Sequence, residues 1–419
     1  MLLSTETKKR IVVVGGGFGG IRAALELSRR VGGESTITLI AAKPHFEYNP
    51  ALYRYVTGNS SIEVCIPLDL IFKGKRVTVV RDFVTSIDKE GKKLTGESGK
   101  IYEYDKLILS LGSETTYMGI PGLKEHSYGM KTVTEALKLK EQIIATLYLV
   151  KEHNETSDKI RDANFVVIGG GATGVELAGR LIEYARSLAE EMKLDPTLVS
   201  VSLIEGAPKV LFRLSKSFTD PIEEHLRRSG VTLLMNRRVM KQEVEDIYLK
   251  DMQMKTSTVI WTAGVRAAEL YERSGFTVNP QGKVDVDEHL YARRGPDIFV
   301  IGDGAQTKYS GWAQTAFYDG HYVARVIESE MKGKSLPVYN APKPVNAIPT
   351  GEGWAGVLID LWGVEVTFYG RIGWWFRRLA DLRSFMVILP LYHAYKVWTG
   401  GCLSDTCDVC GVETSHLHP

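Results

Sequence analysis

Two glycine clusters and one carboxylate are the residues here whose types and spacing most clearly suggest chemistry. Gly15, Gly17 and Gly20 satisfy the pattern G-x-G-x-x-G, with Phe18 and Gly19 between the last two. Gly169, Gly171 and Gly174 satisfy it again, with Ala172 and Thr173 in the corresponding places. In such a loop the first glycine permits a tight turn. The second lets the main chain approach a pyrophosphate, and the third lets helix and strand pack closely. The pyrophosphate then sits on the unsatisfied N–H groups and positive dipole end of the following helix. One copy is a weak signal, but two copies, each between a β-rich run and a helical run, meet the structural context the motif requires.

An acidic residue separates the two loops. Glu205 ends the β-run that follows the second one, 31 positions after Gly174 (205 − 174 = 31). A carboxylate there bonds a ribose 2′-OH and repels a 2′-phosphate, so this site favours NADH over NADPH. A solvent-facing strand-end glutamate is the alternative. In the first unit the equivalent position is Ala41, followed by Ala42, and the nearest charge is Lys43. No carboxylate is present there to hold an adenine ribose.

These residues need strands and helices to carry them. Ile11–Val14, a glycine turn, a helix near Ile21–Ser28 and the run Ser35–Ile40 form one βαβ unit. Phe165–Ile168, the second turn, a helix that starts near Val175–Glu183 and runs on through Glu190 or Met192, and the run Val199–Ile204 form another. Shorter strands are expected at Val77–Val80, Leu107–Leu109, Thr258–Thr262 and Ile298–Ile301. The pattern is α/β, with two Rossmann-like dinucleotide-binding domains.

Composition narrows the function classes. A chain of 419 residues is long for a single core, which suggests two or three domains. Its 52 Lys+Arg against 50 Asp+Glu lack the basic excess of a nucleic-acid binder. Four cysteines are too few for a disulfide framework. The apolar run Ile11–Val14 is too short for a secretory signal, and no stretch has the ~20 apolar residues of a membrane span.

With these residues in view, the sequence resembles the two-dinucleotide flavoprotein reductases, and within them the type II NADH:quinone oxidoreductases, over roughly residues 8–400. The resemblance implies FAD on the first glycine loop and NADH on the second. Thr258–Arg266 is similar to the family's strand and Ala-Gly turn, which makes Ala263 and Gly264 cofactor-side residues. Asp297–Asp303 resembles the second FAD fingerprint, in which Asp303, between Gly302 and Gly304, bonds the flavin's ribityl chain. Ser110-Leu-Gly112 stands where the family carries Ala-Thr-Gly.

Trp312–Gly320 is similar to the family's quinone motif Ala-Gln-x-Ala-x-Gln, with Gln314 as its first glutamine and Tyr318 in place of its second. Their spacing of four puts both on one helical face, where they would pinch a planar ring. The alternative is a helix that packs Tyr318 into the core. Glu176 matches a family glutamate near nicotinamide and flavin, although a carboxylate on a first helical turn is also favoured by the dipole alone.

The C-terminal stretch changes character. Trp375, Leu379, Leu382, Met386 and Leu389 recur at helical spacing. Residues 371–396 carry Arg371, Arg377, Arg378, Arg383 and Lys396 against Asp381 alone, and Trp374, Trp375, Tyr392, Tyr395 and Trp398 add interfacial aromatics. The expectation is an amphipathic helix pair, broken at Pro390, lying over 371–398 on an anionic lipid surface. A homodimer face or a core-packing helix is the alternative. Cys402, Cys407 and Cys410, with His416 and His418, are weak zinc candidates, and redox-active thiols or an inert tail remain open.

The expected division is residues 1–115 and 265–342 for FAD, 116–264 for NADH, 343–400 for membrane association and 401–419 as a tail. The expected function is non-proton-pumping transfer of electrons from NADH to a membrane quinone, by a peripheral protein on the cytoplasmic side. The nearest rival is a sulfide:quinone oxidoreductase, which needs cysteines beside the flavin; none lies between Cys65 and Cys402, so a suitably placed pair would require the tail to fold back. Two further readings stay open: a soluble NADH reductase with a protein acceptor, and a non-enzymatic NADH-sensing flavoprotein.

Overall fold

The computed structural model describes residues 8–361 and 363–401. The Val/Ile-rich run after Lys8 forms β1 (Lys9–Val14), whose last four residues are buried, as expected of a parallel strand covered on both faces. It leads through the first glycine loop into α1 (Phe18–Arg30) and then β2 (Ser35–Ala41). β1 lies between β2 and the strand Lys106–Leu109, both parallel to it. Thr78–Arg81 and Gly295–Val300 extend the parallel sheet on either side, and Tyr291–Ala292 closes one edge antiparallel. Strand order therefore reverses beside β1, and ligands of open α/β sheets bind at such a switch point.

The second unit repeats the plan. β3 (Asn164–Ile168), α2 (Ala172–Glu191) and β4 (Ser200–Glu205) build a five-stranded parallel sheet with Ser127–Gly129, Thr258–Trp261 and Val231–Met235. α1 extends beyond the expected Ile21–Ser28 at both ends, whereas α2 ends at Glu191, as the sequence suggests. The chain passes between the sheets twice, and the passages pair with each other: Ser113–Thr115 runs antiparallel to Val265–Ala267.

Beyond α3 (Ala313–Met331), a three-stranded antiparallel meander covers Asn346–Gly351, Trp354–Leu361 and Val364–Phe368. α2 lies against its first strand, with Gly179 where a Cβ would come within 2.2 Å of the Thr350 carbonyl oxygen. Two helices follow, α4 (Gly370–Ile388) and α5 (Leu391–Trp398), with Pro390 at the break between them as expected. Among the described residues no helix is long and apolar enough to cross a membrane.

The C-terminal helices depart from the expected surface. Trp375, Leu379 and Met386 of the apolar stripe are exposed, but Leu382 is half-buried and Leu389 buried. Two of the five basic groups point inward: Arg377 is buried against Asp381, and Arg378 turns towards Glu63 and the Trp398 carbonyl. The outward charge is therefore smaller than the sequence count, because internal partners take up Arg377, Arg378 and Asp381.

Candidate active site

The two glycine loops are built alike. Gly15 donates to Ile40 at 2.8 Å and Gly169 to Ile204 at 2.8 Å, tying each loop to the neighbouring strand. Gly15 has φ +110° and Gly169 φ +113°, a region that L side chains rarely adopt. A Cβ on Gly20 would lie 1.9 Å from the Gly15 carbonyl oxygen, and one on Gly174 would lie 1.9 Å from that of Gly169. At the tips, by contrast, a side chain on Gly17 or Gly171 would meet no atom within 4 Å and would fill the cradle in front of the helix. α1 and α2 begin at these residues with no side-chain cap and no acid in the first turn. Their free N–H groups suit a pyrophosphate at each loop.

Glu205 is the last residue of β4 and is held by both of its oxygens. Gly170 N–H donates to Oε2 at 2.6 Å and Ala207 N–H donates to Oε1 at 2.7 Å. A solvent-facing side chain would not be fixed in this way. The carboxylate lines a cavity of about 740 Å³ with Gly169, Gly171, Arg238 and Ala263, and the cavity continues to Trp312, two residues before Gln314. It therefore runs from the second loop towards the start of α3. Ala172 lines it as well, whereas Thr173 is exposed beside it. Gly264 lies against the chain passage instead, where a Cβ would come 2.4 Å from the Thr116 carbonyl oxygen.

On the first sheet, the register of Val300 with Leu109 brings Gly302 and Asp303 alongside Ser110–Gly112. Asp303 accepts from Ser113 Oγ at 2.6 Å, and Lys131 Nζ stands 3.6 Å from it while donating to the same hydroxyl at 2.7 Å. A carboxylate held by a hydroxyl and an ammonium suits a polyol chain. Phe18 packs edge-on to Phe46 and Phe317, and Gly19 fits under α3. The small residue at Ala41 has a packing reason, since a Cβ on Gly16 would come within 3.1 Å of its methyl. Lys43 pairs with Glu47 at 2.6 Å.

The pincer expected from Gln314 and Tyr318 is not formed. The Gln314 amide donates to the Val345 carbonyl at 2.9 Å and accepts from the Val345 N–H at 3.2 Å, so both of its ends hold the strap leading to the meander. Tyr318 accepts from Asn340 N–H at 3.4 Å and packs on Tyr322 and Tyr339. Tyrosine replaces the family glutamine here with an aromatic cluster under that strap.

Glu176 lies in the second turn of α2, because the helix starts at Ala172, and the dipole of the first turn does not account for it. Burial pushes its carboxyl up to about 8, Arg377 and Arg54 oppose that shift, and Asp381 adds to it. Sequence reading did not single out several residues around the site. Asp319 is fully buried; it accepts from Gly302 N–H at 3.0 Å and Tyr339 O–H at 2.7 Å, and burial raises its carboxyl to about 6. Ser113, Lys131 and Arg54 were also passed over, and Arg377 and Asp381 were counted only as charges of the lipid-facing stretch. The pair's spacing of four was visible, but an i,i+4 ion pair usually marks an exposed face.

Among the described residues no cluster of metal-ligating side chains occurs. Cys402, Cys407 and Cys410 lie outside the described residues.

Comparison with known proteins gives a consistent likeness. The model of the pyridine nucleotide-disulphide oxidoreductase family matches residues 9–320. The chain is 31% identical over 343 residues to the type II NADH:quinone oxidoreductase Ndh of Mycobacterium tuberculosis, covering 78% of this chain and 73% of that protein. It is 29% identical to the type II NADH:quinone oxidoreductase of Staphylococcus haemolyticus, covering 79% and 84%. Among solved structures, it superposes on NDH2 from Plasmodium falciparum in complex with NADH with TM-score 0.83, at 18% identity, covering 94% of this chain and 98% of that one. The sulfide:quinone oxidoreductase of Aquifex aeolicus gives TM-score 0.75 at 20% identity, covering 94% and 92%, which is a likeness of fold alone.

Proposed function

The chain belongs to the pyridine nucleotide-disulphide oxidoreductase family, among the type II NADH:quinone oxidoreductases, and from that membership we infer that it is an FAD-dependent enzyme passing electrons from NADH to a quinone. The observation that carries this reading is the pair of glycine loops, alike in geometry, each opening on an uncapped helix N-terminus. The bound flavin supplies the chemistry, accepting a hydride from NADH and releasing two electrons to the quinone.

The chain's own residues bind, orient and hold protons. Gly15, Gly17 and Gly20 with the N-terminus of α1 take the FAD pyrophosphate, and Asp303, steadied by Ser113 and Lys131, takes the ribityl hydroxyls. Gly112 and Gly302 let the main chain come close on that side. Gly169, Gly171 and Gly174 take the NADH pyrophosphate, Glu205 takes the adenine ribose, and Ala263 lines the way to the flavin. Glu176 keeps a proton at neutral pH next to a charged network and serves as the proton-holding group near the nicotinamide.

The reading places the protein peripherally on the cytoplasmic face of the cell membrane, attached through α4 and α5. In its support, Ile372, Trp375, Phe376, Leu379, Met386 and Leu391 leave a broad apolar face outward. That face would equally suit a second copy of the chain. Because Gln314 and Tyr318 are committed to the strap, quinone entry beside them requires the strap to give way.

Anaerobic stopped-flow absorbance of the detergent-solubilised, FAD-loaded protein tests the function. Mixing with NADH bleaches the flavin, and subsequent mixing with a short-chain quinone restores it. A flavin that NADH leaves oxidised and sulfide bleaches would transfer the assignment to the sulfide enzymes.

A further inference from the structure

The cavity lined by Glu205 also reaches Trp312, Asn346 and Ile348. Trp312 caps the start of α3, and the other two belong to the first strand of the meander. That strand runs along α2, with Thr350 against Gly179, so that its first residue, Asn346, meets the cavity at the helix's N-terminal end. The described walls include neither the first glycine loop nor Asp303, so the space is the coenzyme's and not the flavin's.

The two sides of this cavity differ. On one side Glu205 stands with Arg238, whose side chain passes over Gly206. On the other, Asn346 is tied to the flavin domain, because Gln314 of α3 holds both the N–H and the carbonyl of Val345 just before it. An adenine ribose on Glu205 and a pyrophosphate on the second glycine loop direct the nicotinamide ring towards the flavin domain, and hence towards Asn346.

Few polar side chains in the wall have an acceptor to spare. Glu205 is held by two main-chain N–H groups, and Thr262 Oγ1 donates to the Ile168 carbonyl at 2.8 Å. Arg213, Arg237 and Arg238 offer donors alone. Asn346 is 5% exposed, and its Oδ1 is buried without a hydrogen-bond partner among the described residues. Such an orphaned oxygen is costly, and a folded protein keeps few of them. The main chain beneath it is fixed, since Asn346 also pairs with Leu358 across the meander. A half-turn about Cβ–Cγ exchanges the two ends of the amide, so its oxygen can be turned into the cavity.

Nicotinamide carries the group that answers this one: a carboxamide, whose N–H donates and whose carbonyl accepts. Trp312 and Ile348 supply flat and apolar surface for its ring. We propose that Asn346 binds the carboxamide of the nicotinamide ring, its Oδ1 accepting from the amide N–H, and so selects this ring over rings that lack a donor there. Holding the carboxamide also sets which face of the ring is turned to the flavin, and confinement to one pose favours hydride transfer. The inference rests on the NADH reading of the second glycine loop.

The test uses the acetylpyridine analogue of the coenzyme, which keeps the ring's carbonyl substituent but has a methyl group where the amide has its nitrogen. Binding of NAD+ and of the oxidised analogue to the FAD-loaded full chain is measured by calorimetry. Binding of the two reduced forms is read from the concentration dependence of flavin bleaching. Wild type is expected to prefer the amide by about tenfold, because the analogue leaves Asn346 unanswered. In Asn346→Leu that preference is expected to fall to about twofold or less, through weaker binding of the amide forms and not of the acetyl forms. Leucine is close to asparagine in size and removes an unpaired polar group, which favours folding of the variant. Asn346→Ala removes the same group without adding bulk and is expected to lose the preference too.

Loss of the preference in either variant supports the inference. A wild type that does not distinguish amide from acetyl, or folded variants that keep the preference, overturns it, and Asn346 then only shapes the wall. A protein that binds neither dinucleotide and whose flavin NADH leaves oxidised overturns the NADH reading itself, and the inference with it.

Discussion

At the scale of single residues, two carboxylates show how position decides chemistry. Glu205 is held by both of its oxygens: two main-chain N–H groups aim it at the cavity, leaving its remaining lone pairs for ribose hydroxyls. In Glu205→Gln the amide nitrogen cannot accept, so one of these bonds is lost together with the charge that repels a 2′-phosphate. The ratio of kcat/KM for NADH over NADPH should then fall about tenfold or more, equivalent to ~1.4 kcal/mol of discrimination. An unchanged ratio would remove Glu205 from coenzyme choice. Glu176, in contrast, is half-buried, and desolvation pushes its carboxyl up to about 8, which favours the protonated form at pH 7. Glu176→Gln should slow flavin reduction or turnover, and identical stopped-flow traces would end its assigned role. Both residues were legible in the sequence, one from the strand end and one from family likeness. The strap contact of Gln314 was not legible, because its type suits a quinone carbonyl and a peptide group equally well. Spacing on a helix cannot reveal that Val345, more than thirty residues on, supplies the peptide.

Among the elements, the strand–loop–helix units were legible because glycine patterns and buried β-runs are local signals. What escaped was the underside of α3. There Asp319 joins the Gly302 loop to the strap through Tyr339, a three-part contact between segments far apart in sequence. Asp319→Asn keeps one acceptor and must leave either Gly302 N–H or Tyr339 O–H without its bond. An orphaned buried donor costs about 1–3 kcal/mol. The variant should melt earlier and bind FAD more weakly, as read by flavin fluorescence during a thermal ramp. Retention of FAD equal to wild type would show that the strap and the loop are independent. α4 was misread for a related reason. Its stripe and charges were counted correctly, but hydrophobicity alone gives no sign that two arginines and the aspartate turn inward.

At the scale of the whole molecule, two carboxyls among the described residues, Asp319 and Glu176, have their proton affinity raised by folding. Below the ordinary carboxyl range both are protonated in folded and unfolded chains and contribute nothing. As pH rises, the unfolded chain ionises first, so stability falls until pH passes about 6 for Asp319 and about 8 for Glu176. His225 and His321, whose proton affinity burial lowers, act in the opposite sense in this window, so the reading is a difference: between pH 5 and pH 8 the melting temperature of wild type should lose more, or gain less, than that of Glu176→Gln. Parallel profiles for the two proteins would contradict the raised proton affinity of Glu176. Glu26 works the other way: Arg29 and Arg22 overcome its burial and hold it at about 2, so its contribution is lost only in acid.

The outward face of α4 sets a second whole-molecule expectation. Trp375→Ser with Leu379→Ser should weaken sedimentation with lipid vesicles about tenfold or more, as removal of buried apolar area predicts. With Arg371 and Arg383 the outward cations on α4, anionic lipid should strengthen that binding only modestly. Unchanged sedimentation alongside a loss of dimer would assign the face to a second copy.

The pairing of Ser113–Thr115 with Val265–Ala267 has a consequence for how such a molecule can change over time. The stretch that carries the coenzyme loop leaves the first sheet and returns to it along a single seam, its two ends side by side like the pins of a plug. Replacing what lies between those ends asks of the flavin cradle only the same narrow socket and a cation where Lys131 meets Ser113 and Asp303. Coenzyme preference and acceptor chemistry are thus free to diverge separately, each in its own length of chain.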